Sequence, residues 1–368
     1  MSPLVLARAT LDDQVTAVLD GALEDAIARA SVYGPRFVLL WREIARSVRG
    51  GKRFRSGLVL GAHAGLGGGH PEAAVAVAGA FEVLHTAFLV HDDLIDGDTM
   101  RRGEPNLGET MRGDATGDGL SVSGSHRWSA ASAVLGGDLA LALAHRLVAG
   151  VDAPADVRRA LTDLLDETML VSAAGELLDT ACGLGLDVPT MEEAVRVAES
   201  KTAMYSFRAP LRAGAVLGGA DAATLAELDH HGRLLGRAFQ QVDDLLGVFA
   251  PESETGKSNV SDLREGKRTP LILHAARLPV WAELVVDLGR HDLDEDTAAR
   301  MRRALASSAA PSLVEQAVSA DLDGVMTLLA LGGLPAGLAQ VVQEISERIR
   351  AALDVVSGHI EEARCQAG

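Results

Sequence analysis

Apolar residues recur at helical spacing along almost the whole chain, and this periodicity constrains the fold more than any other feature. It is clear in LDDQVTAVLDGALEDAIARA, in DVRRALTDLLDETMLVSAAGELLDTA and in LAQVVQEISERIRAALDVVSGHIEEA, whereas no segment alternates convincingly as a strand does. Aromatic residues make up only 3% of the 368 residues while Ala and Gly are abundant, which suits closely packed helices. The pattern therefore predicts an all-α protein, a single large helical domain of roughly ten or more helices over residues 1–368.

Two segments lack the helical pattern and are predicted to be long loops. They are residues 103–127, GEPNLGETMRGDATGDGLSVSGSHR, and residues 250–269, APESETGKSNVSDLREGKRT. Structureless segments of that length inside a compact domain are uncommon unless they are functional or disordered. Each begins soon after a pair of adjacent aspartates, so we interpret both as active-site loops.

The formal net charge of -17 argues against a nucleic-acid-binding protein, because phosphate backbones require a basic face. No stretch reaches the ~18 uninterrupted apolar residues of a membrane span, and the apolar run at the N-terminus is too short for a signal peptide. We therefore expect a cytoplasmic protein without a stable membrane span. The two cysteines, Cys182 and Cys365, lie far apart without the spacing of a metal or redox site.

A first group of carboxylates follows one of the most apolar segments of the chain. Residues 91–96 read HDDLID directly after AVAVAGAFEVLHTAFLV. On a helix that turns 100° per residue, Asp92, Asp96 and His85 fall within about 60° of one another. Both carboxylates are thus predicted to project from one helix face, with His85 two turns below them.

A second carboxylate pair, Asp243 with Asp244, lies in GRAFQQVDDLLGVF on another predicted amphipathic helix. Two acidic clusters on two apolar helices suggest facing walls of one site. Carboxylate oxygens without His or Cys ligands favour a hard cation, and Mg²⁺ is typically held by one or two carboxylates together with substrate phosphates. Basic side chains for the other phosphate oxygens occur in GGKRFR, in RRG, in SKT and in GKSNVSDLREGKR.

Two nucleotide-binding patterns are excluded. The GKS at 256–258 resembles the end of a P-loop, but Pro251 stands where that motif requires Gly. The segment GLGGGH fails the dinucleotide fingerprint because His70 occupies its last position, and no strand precedes it.

Taken together, the motifs resemble the trans-isoprenyl diphosphate synthase (polyprenyl synthetase) family from about residue 48 to 275. The resemblance implies the isoprenoid synthase fold, with helices around a deep central cavity, in a homodimer. It also implies a prenyltransferase that condenses isopentenyl diphosphate head-to-tail with an allylic diphosphate. Roughly three Mg²⁺ ions would bridge the allylic diphosphate to the two acidic motifs.

The resemblance also implies a role for individual residues. The metal-binding motifs of the family are matched by Asp92, Asp96, Asp243 and Asp244. Its isopentenyl diphosphate site is matched by Lys52, Arg55, His85 and Arg102. Its contacts to the allylic diphosphate are matched by Arg101, Lys201, Thr202, Gln240, Lys257 and Lys267. The residues expected to act in catalysis are Asp92, Asp96, Asp243, Lys201 and Arg101.

The sequence departs from the family pattern at several positions. Gly247 stands where many relatives have a third Asp in the second motif, which leaves open how the third Mg²⁺ ion is held. Ala250 and Pro251 replace the usual Gly-Asp that follows, and Asn106 and Gly108 occupy positions where Thr and His are common.

The length of the product is inferred from the helix below the first acidic motif. Phe88 lies one turn below Asp92 and would form a bulky floor of the cavity, whereas the neighbouring Ala87 is small. A single aromatic floor favours a product of about C15 to C20, for which we expect geranylgeranyl diphosphate.

Two other functions are compatible with parts of the sequence. A class I terpene cyclase shares the fold, but it would carry an Asn/Ser/Glu metal motif on the second helix and could lack Lys52, Arg55 and His85. A non-catalytic subunit of a prenyl synthase is suggested by Gly247, although such subunits usually lose carboxylates of the first motif, which are present here.

Overall fold

The computed structural model describes residues 3–51, 53–255 and 260–366, and it is almost entirely helical over those residues. The predicted all-α class is therefore confirmed. In chain order, the helices are α1 (Pro3–Ala30), a 3-10 turn (Ser31–Tyr33), α2 (Pro35–Arg49), α3 (Phe54–Gly65), α4 (Pro71–Ile95), α5 (Leu107–Gly117), α6 (Val122–Ala149), α7 (Ala155–Gly183), α8 (Met191–Ala198), a π-helix (Glu199–Arg208), α9 (Ala209–Leu217), α10 (Ala222–Phe249), α11 (Glu252–Thr255), α12 (Ser261–Glu265), α13 (Pro270–Ala275), α14 (Trp281–Leu284), α15 (Glu295–Ser307), α16 (Ala310–Leu331) and α17 (Ala336–Cys365).

The described residues form two compact units, and the prediction of a single domain with a central cavity stays a prediction. The first unit comprises Met1–Asp166 and Ala209–Leu225, and the second comprises Glu167–Arg208 and Ala226–Gly368.

The prediction of a long loop at residues 103–127 is wrong. Most of this segment is helical, since α5 and the start of α6 lie within it. The side chain of Asn106 caps α5 by accepting a hydrogen bond from the backbone N–H of Glu109, at 2.9 Å. Leu107 and Met111 are buried and attach α5 to the core. A polar, glycine-rich sequence thus forms a helix because a cap and a few apolar anchors outweigh its weak intrinsic propensity.

The second predicted loop, residues 250–269, is likewise interrupted by helices. Within its described residues, α11 and α12 are short helices, and Gly266 ends α12 in the left-handed conformation. Residues 256–259 of this segment lie outside the described residues.

In the first unit, α4 is the central helix. It packs against α1, α3, α6 and α9, and its apolar residues are buried around most of its circumference. Phe81 and Leu84 are among the largest fully buried side chains. α9 approaches α3 closely because Gly214 has no side chain: a Cβ there would lie 2.9 Å from the carbonyl carbon of Val59. This packing fixes the position of the last turn of α4, which carries the first acidic motif.

In the second unit, the π-helix packs between α7 and α10 through two glycines. A Cβ at Gly175 of α7 would lie 2.8 Å from the carbonyl carbon of Ser200, and one at Gly236 of α10 would lie 2.6 Å from Cα of Ala203. The rings of Phe207 and Phe239 pack with their centroids 5.2 Å apart. The backbone that carries Lys201 is therefore held tightly from two sides.

Two of the described helices are long and apolar enough to cross a membrane by length and composition, Pro71–Ile95 and Val122–Ala149. The most apolar window of the first is 78% buried inside the protein, as expected for a core helix, and that of the second is 44% buried.

Candidate functional site

The first acidic motif occupies the last turn of α4, as predicted from the sequence. Asp96 is the C-terminal cap residue, and a carboxylate oxygen of Asp92 lies within 4.8 Å of one of Asp96. His85 lies on the same helix, two turns before Asp92. A pair of carboxylates at this separation is suited to a divalent cation, whose charge would offset their mutual repulsion.

A short hairpin places Arg101 beside this motif. Met100–Arg101 pairs antiparallel with Glu104–Pro105, and the two residues between the strands, Arg102 and Gly103, both have positive φ. The Arg101 guanidinium donates through Nε to Asp93, at 2.8 Å, and through Nη2 to Asp92, at 3.3 Å. Burial by itself would lower the pKa of Arg101. The negative charge of Asp93 and its hydrogen bond to the guanidinium outweigh this effect, so the pKa of Arg101 is raised and Arg101 stays charged.

Asp93 was not among the residues assigned from the sequence. It is buried, with 7% of its surface exposed, and it anchors the guanidinium of Arg101. The first motif thus contains carboxylates with two tasks, since Asp92 and Asp96 face each other while Asp93 turns toward Arg101. The sequence offered only a weak signal, the adjacency of Asp92 and Asp93, because their separate directions depend on the hairpin.

Three arginines of the first unit lie close to His85. The pKa of His85 is held well below its usual value by burial and by the positive charges of Arg55, Arg102 and Arg101. Burial and the charge of Arg101 also lower the pKa of Arg102, although nearby Glu82 raises it. A group of positive charges gathered around one buried histidine is a favourable place for a multiply charged anion.

The two glycines of GGKR make room for Arg102. A Cβ at Gly50 would overlap Nη1 of Arg102 and lie 3.3 Å from its Cζ, and one at Gly51 would lie 3.0 Å from Nη2. Gly51 also has a φ of 122°, which L residues rarely adopt. Lys52 lies outside the described residues, so its predicted role stays a prediction.

If Arg102 binds isopentenyl diphosphate, as the sequence predicts, Gly50→Ala should raise the KM for that substrate by about 10- to 100-fold with little loss of stability, because one charged hydrogen-bonding group is displaced. Gly50 has an ordinary φ of -81°, and the atom in the way is the end of a flexible side chain, so the fold can adapt while the guanidinium moves. Steady-state kinetics and thermal unfolding would check this. Gly21→Ala is the control, since Gly21 has open space around its Cβ position. An unchanged KM in Gly50→Ala would contradict the role of Arg102.

We expect the pKa of His85 to make stability depend on pH. The pKa of His85 is depressed in the folded protein. Below pH ~6.5 His85 is therefore protonated in the unfolded chain but stays neutral in the folded one. The free energy of unfolding should then fall by about 1.4 kcal/mol per pH unit on this account, between the two pKa values. His85→Gln should have a shallower dependence, measured by urea unfolding from pH 5 to 7.5. Parallel curves for the two proteins would show that the pKa of His85 is not depressed in the folded protein.

In the second unit, Lys201 and Thr202 lie on the π-helix. Lys201 Nζ contacts two carboxylates of α7, Glu176 Oε1 at 3.0 Å and Asp179 Oδ2 at 2.8 Å. Thr202 is buried with 8% of its surface exposed. Glu176 and Asp179 were missed from the sequence, although their i,i+3 spacing in GELLD places them on one face of α7.

The second acidic motif lies near the end of α10. Asp243 is exposed and Asp244 is partly buried. Gln240, predicted to contact the allylic diphosphate, donates through Nε2 to Asp244 at 2.7 Å. Burial raises the pKa of Asp244 well above its usual range; the hydrogen bond from Gln240 opposes this, while the negative charges of Asp262, Asp243 and Asp179 add to it. These oxygen ligands fit a hard divalent cation, which would relieve their repulsion.

Lys267, also assigned to the allylic diphosphate, lies next to α12. Its Nζ is 2.8 Å from Glu265 Oε2 and 3.3 Å from Asp262 Oδ1. Lys257 lies outside the described residues. On α4, Ala87 is fully buried and Phe88 is partly exposed, and their assignment to the floor of a cavity stays a prediction.

An all-α fold with acidic pairs on apolar helices and clustered cations defines a protein suited to bind a diphosphate and a divalent metal. The chain belongs to the polyprenyl synthetase family, whose sequence pattern matches residues 40–300. This confirms the resemblance found in the sequence.

Two curated relatives illustrate the similarity. The chain is 34% identical over 226 residues to a short chain isoprenyl diphosphate synthase of Methanothermobacter thermautotrophicus, covering 61% of this chain and 63% of that protein. It is 35% identical over 254 residues to a (2E,6E)-farnesyl diphosphate synthase of Mycobacterium tuberculosis, covering 67% of this chain and 64% of that protein. The chain therefore spans a little less than two thirds of the length of these relatives.

A solved structure supports the fold. The crystal structure of geranylgeranyl pyrophosphate synthase from Corynebacterium glutamicum matches with a TM-score of 0.85 at 24% sequence identity, covering 92% of this chain and 98% of that chain.

Proposed function

We propose that this protein is a Mg²⁺-dependent isoprenyl diphosphate synthase that condenses isopentenyl diphosphate head-to-tail with an allylic diphosphate. The observation that carries the proposal is the group of Arg55, Arg101 and Arg102 near a neutral His85, on the helix that ends in Asp92 and Asp96. In a protein of net charge -17, cations gathered so closely are well placed to bind the diphosphate of a small substrate. The similarity to isoprenyl and farnesyl diphosphate synthases supports the same reaction.

The carboxylates of both acidic motifs would hold the metal. Asp92, Asp96, Asp243 and Asp244 offer only oxygen ligands, as Mg²⁺ prefers, and roughly three ions per active site are expected in this family. The related C. glutamicum crystal structure is described as complexed with isoprenyl diphosphate and magnesium. Bound Mg²⁺ would neutralise the negative charge that develops on the departing diphosphate.

The basic residues would divide between the two substrates. Lys52, Arg55, His85 and Arg102 would bind isopentenyl diphosphate, while Arg101, Lys201, Thr202, Gln240, Lys257 and Lys267 would bind the allylic diphosphate. Lys201 is already oriented by Glu176 and Asp179, so less side-chain freedom is lost when a substrate binds. A cation held in place in this way stabilises developing charge without reorganising during the reaction.

The reaction would proceed through an allylic carbocation. The allylic C–O bond breaks and its electron pair leaves with the diphosphate. The double bond of isopentenyl diphosphate then attacks the cation, and the resulting intermediate loses a proton to the released diphosphate. Such a reaction requires no dedicated side-chain base, and orientation and charge stabilisation would supply most of the acceleration.

The product is proposed to be of about C15 to C20, most simply geranylgeranyl diphosphate, because Phe88 would limit the growing chain. We expect Phe88→Ala to shift the products toward longer chains, measured by chromatography of the dephosphorylated alcohols. Phe37→Ala is a matched control, since that aromatic residue packs on Tyr33, far along the chain from the acidic motif. An identical product distribution in Phe88→Ala would remove this residue from chain-length control.

We further propose that the protein acts as a cytoplasmic homodimer. Leu170, Leu177 and Leu178 on α7 leave at least half of their surface exposed, which is typical of a face that is covered by another chain. Analytical ultracentrifugation would test self-association. The net charge of -17 and the core position of α4 are consistent with a protein that does not span a membrane.

The decisive experiment is incubation with Mg²⁺, labelled isopentenyl diphosphate and each allylic primer in turn, followed by chromatography of the products. Elongated prenyl diphosphates are expected. Release of hydrocarbons from an allylic diphosphate, without consumption of isopentenyl diphosphate, would instead identify a terpene cyclase. An inactive chain that gains activity only with a second protein would identify a non-catalytic subunit.

A further inference from the structure

The hairpin that carries Arg101 and Arg102 is too small to hold these two side chains in place by itself. Each of its strands has two residues, and an isolated two-stranded hairpin is marginally stable at best in water. Pro105, which pairs with Met100, has no N–H to donate to the first strand. Arg102 lies in the turn with a φ of 57°, which is uncommon for a residue other than glycine. The placement of the two arginines therefore depends on contacts from outside the hairpin.

Asn106 supplies such contacts to the strand that carries Arg101. Its backbone N–H donates to the carbonyl oxygen of Thr99 at 3.0 Å, and its side-chain Nδ2 donates to the carbonyl oxygen of Asp98 at 2.6 Å. Through Oδ1 the same side chain accepts the backbone N–H of Glu109, which begins α5. Asn106 is buried, with 6% of its surface exposed, so these hydrogen bonds are shielded from water. One side chain thus fastens the segment just before Arg101 to the start of α5.

The elements to which the hairpin is fastened are themselves anchored in the first unit. Leu107 and Met111 are buried and hold α5 against the core. Arg46 of α2 donates through Nη2 to the carbonyl oxygen of Pro105 at 2.8 Å, and its Nη1 lies 3.2 Å from Glu104 Oε2. The second strand is therefore held by α2, and the first strand is held by α5 through Asn106.

Both guanidinium groups fit closely at the positions where the hairpin places them. A Cβ at Gly50 would overlap Nη1 of Arg102, and one at Gly51 would lie 3.0 Å from Nη2. Nε of Arg101 lies 2.8 Å from an oxygen of Asp93. Since a side chain moves with the backbone that carries it, a shift of the hairpin would move both cations relative to His85.

We propose that Asn106 is a positioning residue, which holds the hairpin so that Arg101 and Arg102 are ready to bind the two substrate diphosphates. The decisive contact is the hydrogen bond from Nδ2 to the carbonyl oxygen of Asp98, because it acts on the first strand directly. Asn106 acts through the two arginines and does not touch a substrate in this role. This inference rests on the proposed function, since that function assigns the arginines to the diphosphates.

The test uses Asn106→Ser and Asn106→Asp, which keep the cap of α5 but remove the Nδ2 donor. Ser and Asp are about as good at the N-cap as Asn, and Ser adds no negative charge. We expect both variants to raise the KM for isopentenyl diphosphate by about 5- to 20-fold, with a smaller change in kcat, because one hydrogen bond that preorganises binding is lost. Thermal unfolding should shift by no more than about 4 °C. Hydrogen–deuterium exchange should become faster in residues 98–106 and stay unchanged in residues 108–117.

Arg36→Gln is the matched control, because it loosens α5 at the end that lies away from the hairpin. Arg36 of α2 lies 3.2 Å from Asp114 Oδ2 and 2.6 Å from Asp118 Oδ2, near the C-terminus of α5. This variant should keep the wild-type KM. If it raised the KM as much as Asn106→Ser does, the anchoring of α5 would explain the effect and the proposal would be overturned. An effect in Asn106→Asp but not in Asn106→Ser would trace to the added charge and would overturn it as well.

The outcomes also separate this inference from the function on which it rests. If the wild-type protein consumes no isopentenyl diphosphate with any allylic primer, the proposed function and this inference are refuted together. If the wild type is active and both Asn106 variants keep its KM, even with faster exchange in the hairpin, only the positioning role of Asn106 is refuted. Should one of the two variants fail to fold, the other still decides the question.

Discussion

Asp92→Ala is expected to lower the turnover number by about 10²- to 10³-fold or more, because in the proposed function Asp92 holds the metal that stabilises the departing diphosphate. The fold should survive, with a change in the free energy of unfolding of about 1 kcal/mol or less. The reason is that Arg101 keeps its closer partner, Asp93, and loses only the 3.3 Å hydrogen bond to Asp92. Steady-state kinetics and urea unfolding of the same preparation would check both values.

Asp163→Ala provides the matched control for this prediction. Asp163 is an exposed aspartate on α7 that belongs to the same unit and takes no part in the proposed site. Its variant should keep wild-type kinetics. If Asp92→Ala also turned over at the wild-type rate, the assignment of the first motif as a metal site would fail.

Gly175→Ala is expected to lower the free energy of unfolding by about 1–3 kcal/mol, and also to lower turnover. The new Cβ would lie 2.8 Å from the carbonyl carbon of Ser200 and 2.9 Å from Cα of Lys201. Since these are backbone atoms, no side-chain rotation can relieve the contact, and the π-helix itself must move. Lys201 would then shift away from Glu176 and Asp179, which orient it. Thermal unfolding and kinetics with the allylic substrate would measure the two effects.

Gly358→Ala is the control for the effect of a glycine substitution itself. Gly358 lies in α17, in the same unit, and its Cβ position has no atom within 4 Å. Alanine there should stabilise the protein by about 0.5–1 kcal/mol without affecting turnover, because it lowers the conformational freedom of the unfolded chain. Wild-type stability and activity in Gly175→Ala would show that the π-helix tolerates displacement.

The helical class and the two acidic motifs were predictable because they depend on local spacing. Apolar residues at intervals of three and four define a helix face wherever they occur, and carboxylates at i and i+4 share that face in any helix. Asp92 and Asp96 therefore lie on one face of α4 as expected. The basic residues of the GGKR and RRG motifs were also predictable from a local signal, which is the adjacency of Arg and Lys to glycines.

The predicted loop at 103–127 shows where composition misleads. Its glycines and polar residues indicated a structureless segment, yet Asn106 caps α5 and Leu107 and Met111 are buried beneath it. Whether Leu107 and Met111 are buried depends on the helices that pack against α5, which are distant in the sequence or outside the segment. A local reading of the sequence cannot supply that information.

By itself, the sequence determined that this chain is helical, that its carboxylates form two groups, and that its arginines and lysines cluster at glycine-flanked positions. Only the tertiary structure decided which partners these groups have: Arg101 turns to Asp93, Lys201 to Glu176 and Asp179, and Asp262 fills the space beside Gly247. The reason is that the apolar periodicity is a property of a few neighbouring residues, whereas the partner of a charged side chain depends on which segments the tertiary packing brings close to it.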